Sequence, residues 1–307
     1  MSANLHLNQF KIEFSDRVDL LRQERGGKLR PFANVETFTG SKQASPVNQV
    51  GAVVGSAPAG RFAPMTRVDA NTTRRWVEPS DRELPQLLDK FDMRRYTQDF
   101  KGPYAMNAAM DFGRWEDQLI IDAATATSKI GELGASTEAF DTTNFRILSD
   151  FGASAAVGLT VDKLIELTQK FMAANVDIDM EVPTLVISPR QHSDLLRQVE
   201  VVSKDYADKP RLESGRVKSF MGFNIVVKTQ NADLTDDALP LINTTERRCF
   251  AFVKSGITLG MWKDMETRVD ERKDLSGIPW QIYTCATAGA TRIEQGRVIE
   301  VLCDEPA

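Results

Sequence analysis

The chain is short of the residues that metal and redox sites are built from. Its 307 residues include two histidines, His6 and His192, and three cysteines, Cys249, Cys285 and Cys303. Two distant histidines exclude a zinc site of the His-paired kind. Three cysteines without a CxxC pair make no disulfide framework and point to a reducing compartment. Long apolar runs are missing as well, with none near the ~20 residues of a spanning helix. The start, MSANLHLNQFKIEF, lacks a basic segment followed by an apolar core, as a secretory signal would have. Manufacture in the cytoplasm and no membrane partner are expected.

The signatures of catalysis are equally thin. The stretch GGKLRPF lacks the spacing of a phosphate-binding P-loop, no GxGxxG follows a strand pattern, and no GxSxG elbow occurs. Asp177, Asp179 and Glu181 alternate in VDIDME, so an extended backbone would turn all three one way, toward a hard cation. Val182 stands where an EF-hand loop would have glycine, and a solvated acidic loop is the favoured reading. Glu116 and Asp117 lie on a helical pattern that isolates no carboxylate pair for acid–base work. His192 reads as a surface or packing residue, and the cysteines, near strand patterns, as buried inert thiols. No catalytic residue, cofactor or metal is expected, and the chain is not read as an enzyme.

What the chain has is uneven charge. Its 42% hydrophobic and 26% charged residues are those of a globular protein, and its net charge is −5. Residues 1–75 hold eleven Lys/Arg against six Asp/Glu, a balance of +5 that leaves about −10 for the rest. Arg67, Arg74, Arg75 and Trp76 crowd the stretch TRVDANTTRRWVEP. Basic residues beside an aromatic suit single-stranded nucleic acid. The interspersed Glu13, Asp16, Asp19 and Glu24, the acidic total and the lack of a reader motif favour ion pairing with another protein surface.

Residues 1–46 read as an extended arm with one short helix in SDRVDLLRQERGG, capped by Ser15 and stopped at Gly26 and Gly27. Residues 47–78 read as a hairpin turning at GSAPAG, too poor in core residues to be stable alone. EPSDRELPQLLDKFDMRRY reads as a short helical section, and residues 102–128 as a long helix. Along the latter, Tyr104, Ala108, Phe112, Trp115, Leu119, Ala123 and Ala126 recur at steps of three and four. After a loosely patterned connection, a helix capped by Thr160 is expected to bury Val161, Leu164, Ile165, Thr168, Phe171 and Met172. TLVIS reads as a buried strand, and Ser188, Pro189 and Gln191 as a capping box. Strand pairs are expected about Gly222 and Gly256, then long closing strands to the C-terminus.

That order of parts resembles the major capsid proteins of tailed bacteriophages with the HK97-like fold, in particular those of short-tailed phages. GLTVDKLIELTQKFMAANVD, PTLVISPRQHSDLLRQ and GRVKSFMGFNIVV look like the capsid A-domain. FAFVKSGITLGMWKDMETRVDERKD and QIYTCATAGATRIEQGRVIEV are similar to the closing P-domain strands. RRWVEPSDRELPQLLDKFD with GPYAMNAAMDFGRWEDQLIIDAA looks like the end of the E-loop running into the spine helix. The resemblance implies an α+β fold with residues 1–46 as N-arm, 47–78 as E-loop, 79–155 and 260–307 as P-domain, and 156–259 as A-domain.

It also implies a function. Copies would form pentamers and hexamers of an icosahedral head around double-stranded DNA held by confinement, in a virion. The implied partners are a separate scaffolding protein, since no helical segment precedes the arm, a portal, and in some relatives a decoration protein. Inter-subunit contacts would fall to Arg25, Lys28 and Arg30 in the arm and to Arg61, Arg67, Arg74, Arg75 and Trp76 in the hairpin. Relatives that crosslink use an E-loop lysine, whereas this chain has none between Lys42 and Lys90. No E-loop crosslink is therefore expected. The alternatives are an encapsulin-like compartment shell and a soluble α/β enzyme with an unseen site.

Overall fold

The computed structural model describes residues 26–40, 44–57, 60–61, 64, 67–90, 101–198, 217–229 and 238–305. The helix expected in SDRVDLLRQERGG lies outside them, apart from its two closing glycines.

The helix α1, Lys101–Thr125, is 25 residues long, ~37 Å at 1.5 Å per residue. Ala108, Phe112, Trp115 and Ala123 are buried, as their spacing predicts, and Ile120, Ile121 and Ala124 widen the buried face toward the C-terminal end. Pro103 sits in the first turn, where a missing N–H has no intrahelical partner to lose.

Under α1 lies a four-stranded sheet in the order β1 (Asn34–Thr37), β13 (Ile257–Glu271), β14 (Trp280–Arg292), β4 (Ser80–Leu88). The strand β4 corrects the helical expectation for EPSDRELPQLL. It pairs antiparallel with β14 from Ser80↔Ala288 to Leu88↔Trp280. Pro85 would break a helix interior but is tolerated on an edge strand, and side-chain exposure alternates along it. The arm's β1 pairs parallel with β13, so part of the arm lies on its own chain.

A seven-stranded sheet runs β7 (Arg146–Ile147), β15 (Val298–Asp304), β12 (Glu246–Phe252), β8 (Thr184–Ile187), β10 (Phe223–Val227), β9 (Ser219–Phe220), with β11 (Leu241–Ile242) also on β12. TLVI in β8 is buried throughout. The strands flanking Gly256 are not partners: β12 belongs to this sheet and β13 to the first, and the chain crosses between them at Lys254–Gly256. A Cβ on Gly256 would sit 2.8 Å from the Arg297 carbonyl, so only glycine allows that crossing. At the other glycine the expectation holds. Met221 (φ 49°) and Gly222 (φ 82°) form a two-residue hairpin turn between β9 and β10.

Helix α2, Val161–Ala173, packs on this sheet with Thr160 accepting from Lys163 N as N-cap. Leu164, Leu167 and Phe171 are buried, Phe171 against Phe223. Ile165 and Met172, expected in the core, are exposed because they stand about 100° round the helix from that line. Helix α3, Pro189–Leu196, has half of the expected capping box. Ser188 Oγ accepts from Gln191 N, but the Gln191 side chain turns inward, accepting from Leu159 N (2.8 Å) and donating to Asp304 O (3.1 Å). VDIDME is a turn rather than an extended run. Asp177 accepts from Asp179 N and Met180 N, while Glu181 accepts from Ser255 N and Oγ.

The third sheet, β2 (Ala44–Val50), β3 (Thr72–Val77), β5 (Ser128–Ile130), β6 (Ser136–Glu138), holds the expected hairpin, β2 pairing with β3 from Val50↔Thr72 to Ala44↔Val77. Its other two strands come from the connection after α1.

Candidate inter-subunit surface

Between β2 and β3 the described residues form no regular structure, and of those between Gly51 and Asn71 all but Ala70 are exposed. The hairpin base stands off from the body across a cleft of about 710 Å³ lined by Gln49, Asn71, Glu181, Lys254 and Arg297, and Gln49 Nε2 spans it to Ile293 O (2.8 Å).

The candidate contact residues separate by position. Arg61 and Arg67 are on the exposed loop, and Arg67, 85% exposed, holds Asp69 two residues on. Arg74 donates to Asn48 Oδ1 (2.7 Å), with its guanidinium 5.8 Å from the Trp76 ring centre. Trp76 is half-buried and donates from Nε1 to Gly131 O (2.7 Å). Arg75 is only 8% exposed and pairs with Glu138 on β6. Beside that pair, Arg292 donates from Nη1 to Ala124 O (3.0 Å) and Ala126 O (2.8 Å), satisfying carbonyls at the end of α1. Burial lowers the Arg292 pKa to about 10, with Glu138 opposing the shift and Arg75 adding to it.

In the arm, Lys28 Nζ donates to Val227 O (3.0 Å), and Arg30 pairs with Glu116 (3.1 Å) and Asp264 (3.6 Å). Burial raises the Glu116 pKa against the opposing charge of Arg30. The fully buried Asp117 accepts from Lys28 N (3.0 Å), Leu29 N (2.8 Å) and Lys228 Nζ (2.9 Å). The backbone crosses α1 closely here, Gly27 N donating to Gly113 O (2.8 Å). A Cβ on Gly26 would lie 1.8 Å from Arg114 N. Arg25 lies outside the described residues.

Sequence reasoning missed the buried Asp117–Lys228 pair and the buried Arg292 and Lys163, because nothing in composition or spacing separates a buried charge from a surface one. The other side chains with potential for chemistry are engaged or buried. His192 Nε2 accepts from Val217 N, Cys249 and Cys303 are buried, and half-buried Cys285 lies 3.3 Å from Lys263 Nζ. Among the described residues no cluster of His, Cys, Asp or Glu forms a metal site, and no helix is long and apolar enough to cross a membrane.

A long helix across a hairpin sheet, a projecting loop and a second packed sheet with its own helices form the HK97-like architecture of shell-building subunits. Solved structures carry the same fold. The capsid of cyanophage P-SCSP1u matches at TM-score 0.73 and 14% identity, over 97% of this chain and 94% of that one. The mature capsid of bacteriophage PhiM1 matches at 0.71 and 12%, over 98% and 96%. The capsid of a native GTA particle matches at 0.68 and 14%, over 99% and 98%. No curated protein matches by sequence. A family model described as phage capsid protein matches residues 7–305. The chain therefore belongs to the phage capsid protein family and is a structural protein of the phage head. The compartment-shell and soluble-enzyme alternatives are not favoured.

Proposed function

We propose that copies of this chain close an icosahedral head as pentamers and hexamers by laying the loop between β2 and β3 on neighbouring copies. The observation that carries this reading is that loop itself, exposed along nearly its whole described length, irregular where described, and tied to the body at its base by Gln49. Its described residues bury little in their own chain, and a neighbouring copy supplies the surface they lie on. Arg61 and Arg67 are the residues placed to reach an acidic neighbour. Arg74, Arg75 and Trp76 hold the base in shape. Each contact is weak, and repetition round a closed shell supplies the stability.

The same reading assigns residues 1–46 to the N-arm, 47–78 to the E-loop, 79–155 and 260–307 to the P-domain and 156–259 to the A-domain. In it the β7 and β15 strands are lent to the A-domain sheet. A separate scaffolding protein and a portal complete the particle, which is assembled in the host cytoplasm. The DNA is held by confinement, in keeping with a net charge of −5. With no lysine between Lys42 and Lys90, the loop forms no isopeptide bond, and mature particles run as a single coat band on a denaturing gel.

The test is the double substitution Arg61→Glu with Arg67→Glu. Subunits with wild-type circular dichroism that fail to form shells in negative-stain micrographs are expected. Shells in normal yield would refute the role given to the loop.

A further inference from the structure

Helix α2 presents two flanks on either side of its core line. One carries Lys163 and Lys170, seven residues apart. Lys163 Nζ donates to the carbonyls of Ser149 (3.0 Å), Val157 (2.8 Å), Gly158 (3.0 Å) and Leu302 (3.1 Å), and Lys170 Nζ to that of Asn144 (2.8 Å). That flank is closed by the chain's own segment 144–158.

The other flank, about 200° round from the lysines at ~100° per residue, is open. It carries Ile165, 51% exposed, and Met172, 62% exposed, also seven residues apart. Met221, 39% exposed, lines the same cleft together with Thr168, Gln169 and Ala173. Met221 has a φ of 49°, a conformation that a long side chain adopts only at a cost and that Gly or Asn usually fills in such a turn. The turn thus holds a thioether out beside an apolar stripe, and thioethers suit adaptable apolar contacts.

The segment closing the lysine flank has exposed apolar side chains of its own. Leu148 is 56% exposed and Phe151 37%, and they share one turn in which Phe151 N donates to Leu148 O. One side of this layer therefore bears an apolar pair, and the opposite side an apolar cleft. A two-fold dimer needs a single self-complementary patch. Two different patches on opposite flanks suit a head-to-tail contact, which closes into a ring.

We infer that Leu148 and Phe151 of one copy seat in the Ile165–Met172–Met221 cleft of the next copy round each pentamer and hexamer. This rests on the shell reading above and names the contact between ring neighbours. In a Cys285→Ser background, copies carrying Leu148→Cys are co-assembled with copies carrying Met172→Cys and treated with a short bis-maleimide. Crosslinked dimers are expected from the mixture, and a ladder ending at five and six copies from the double variant. Assembled shells that give no crosslink overturn the inference and leave the shell reading standing. A crosslink formed within one chain in dilute, unassembled subunits overturns it too. Ile165→Asp supplies a second readout at an exposed position: folded subunits without rings are expected, and rings at wild-type yield overturn the inference. Wild-type protein that forms no shells under any condition would instead refute the shell reading.

Discussion

Replacing Lys163 by methionine is the sharpest test of how the second sheet is held to its surrounding loops. The ammonium is fully buried and donates to four backbone carbonyls. Two of those carbonyls keep other donors, Ser149 O from Val157 N and Val157 O from Asp304 N. The loss then falls mainly on two acceptors. At ~1–3 kcal/mol for each buried acceptor left without a donor, they cost ~2–6 kcal/mol. The added apolar burial of methionine offsets roughly 1–2 kcal/mol. A net loss of about 3 kcal/mol is expected, a large share of the ~5–15 kcal/mol that holds a typical fold. Spread over the unfolding entropy of a chain this long, it lowers Tm by about 5 °C. Urea unfolding of unassembled subunits measures it, and a loss below about 1 kcal/mol would refute the reasoning. The pH dependence provides a second check. Desolvation lowers the Lys163 pKa from the usual 10.5, so between the two values the unfolded chain binds more protons than the folded one. Folding is therefore favoured as pH rises through that window, and the gap between wild type and Lys163→Met widens. A gap that narrows would mean that the carbonyls outweigh desolvation.

Two further perturbations address the other buried charges. Lys228→Met leaves Asp117 buried with only the Lys28 and Leu29 amides, and should cost ~3–5 kcal/mol in urea unfolding, as breaking a buried pair does; a cost under about 1 kcal/mol would show the pair to be dispensable. Glu305 accepts from both ends of the Arg247 fork (3.0 Å each) and from Ser188 Oγ (2.9 Å). Burial pushes its pKa up, but these bonds outweigh burial and hold it below the usual 4.5. The stabilisation is present above the unfolded pKa and is lost as pH falls through the lower folded value. Glu305→Gln should therefore unfold earlier at neutral pH and show a flatter acid limb, and an unchanged acid limb would count against the pairing.

Much of the fold was legible in the residues because local pattern and tertiary environment agree. The three-and-four spacing from Ala108 to Ala123 marks α1, and TLVI marks β8. Where local pattern and pairing compete, pairing decides. SDRELPQLL carries leucines at helical spacing, yet nine residues of ladder with β14, some two hundred positions away, make it a strand. The α2 pattern placed Ile165 and Met172 in the core because the sequence shows apolar character without showing which apolar side has a partner. The candidate site was legible as a location, an arginine-rich hairpin short of core residues. The division of labour within it was not. Arg74 and Arg75 are neighbours of identical chemistry, and only the fold puts one at the surface and the other against Glu138.

Three of the buried charges, Asp117, Arg292 and Lys163, share a placement that bears on why they exist. Replacing a buried ion pair by apolar residues of the same volume is often neutral or stabilising, so net stability alone is a weak account of them. Each one meets backbone where regular structure stops. Asp117 accepts from the amides of residues 28 and 29 as the arm crosses α1, Arg292 donates to the carbonyls where α1 ends, and Lys163 gathers carbonyls from the 149–158 segment. Irregular backbone brought inside a protein leaves polar groups that neither a helix nor a ladder satisfies. An apolar substitute fills the space but leaves those groups without partners, whereas a long charged side chain fills it and supplies several hydrogen bonds from one atom or fork. The three charges thus pin the arm, the end of the long helix and the loop beside α2 in single positions. In a protein that works by repeating the same contacts in every copy, fixed positions for these segments are what allow each contact to recur.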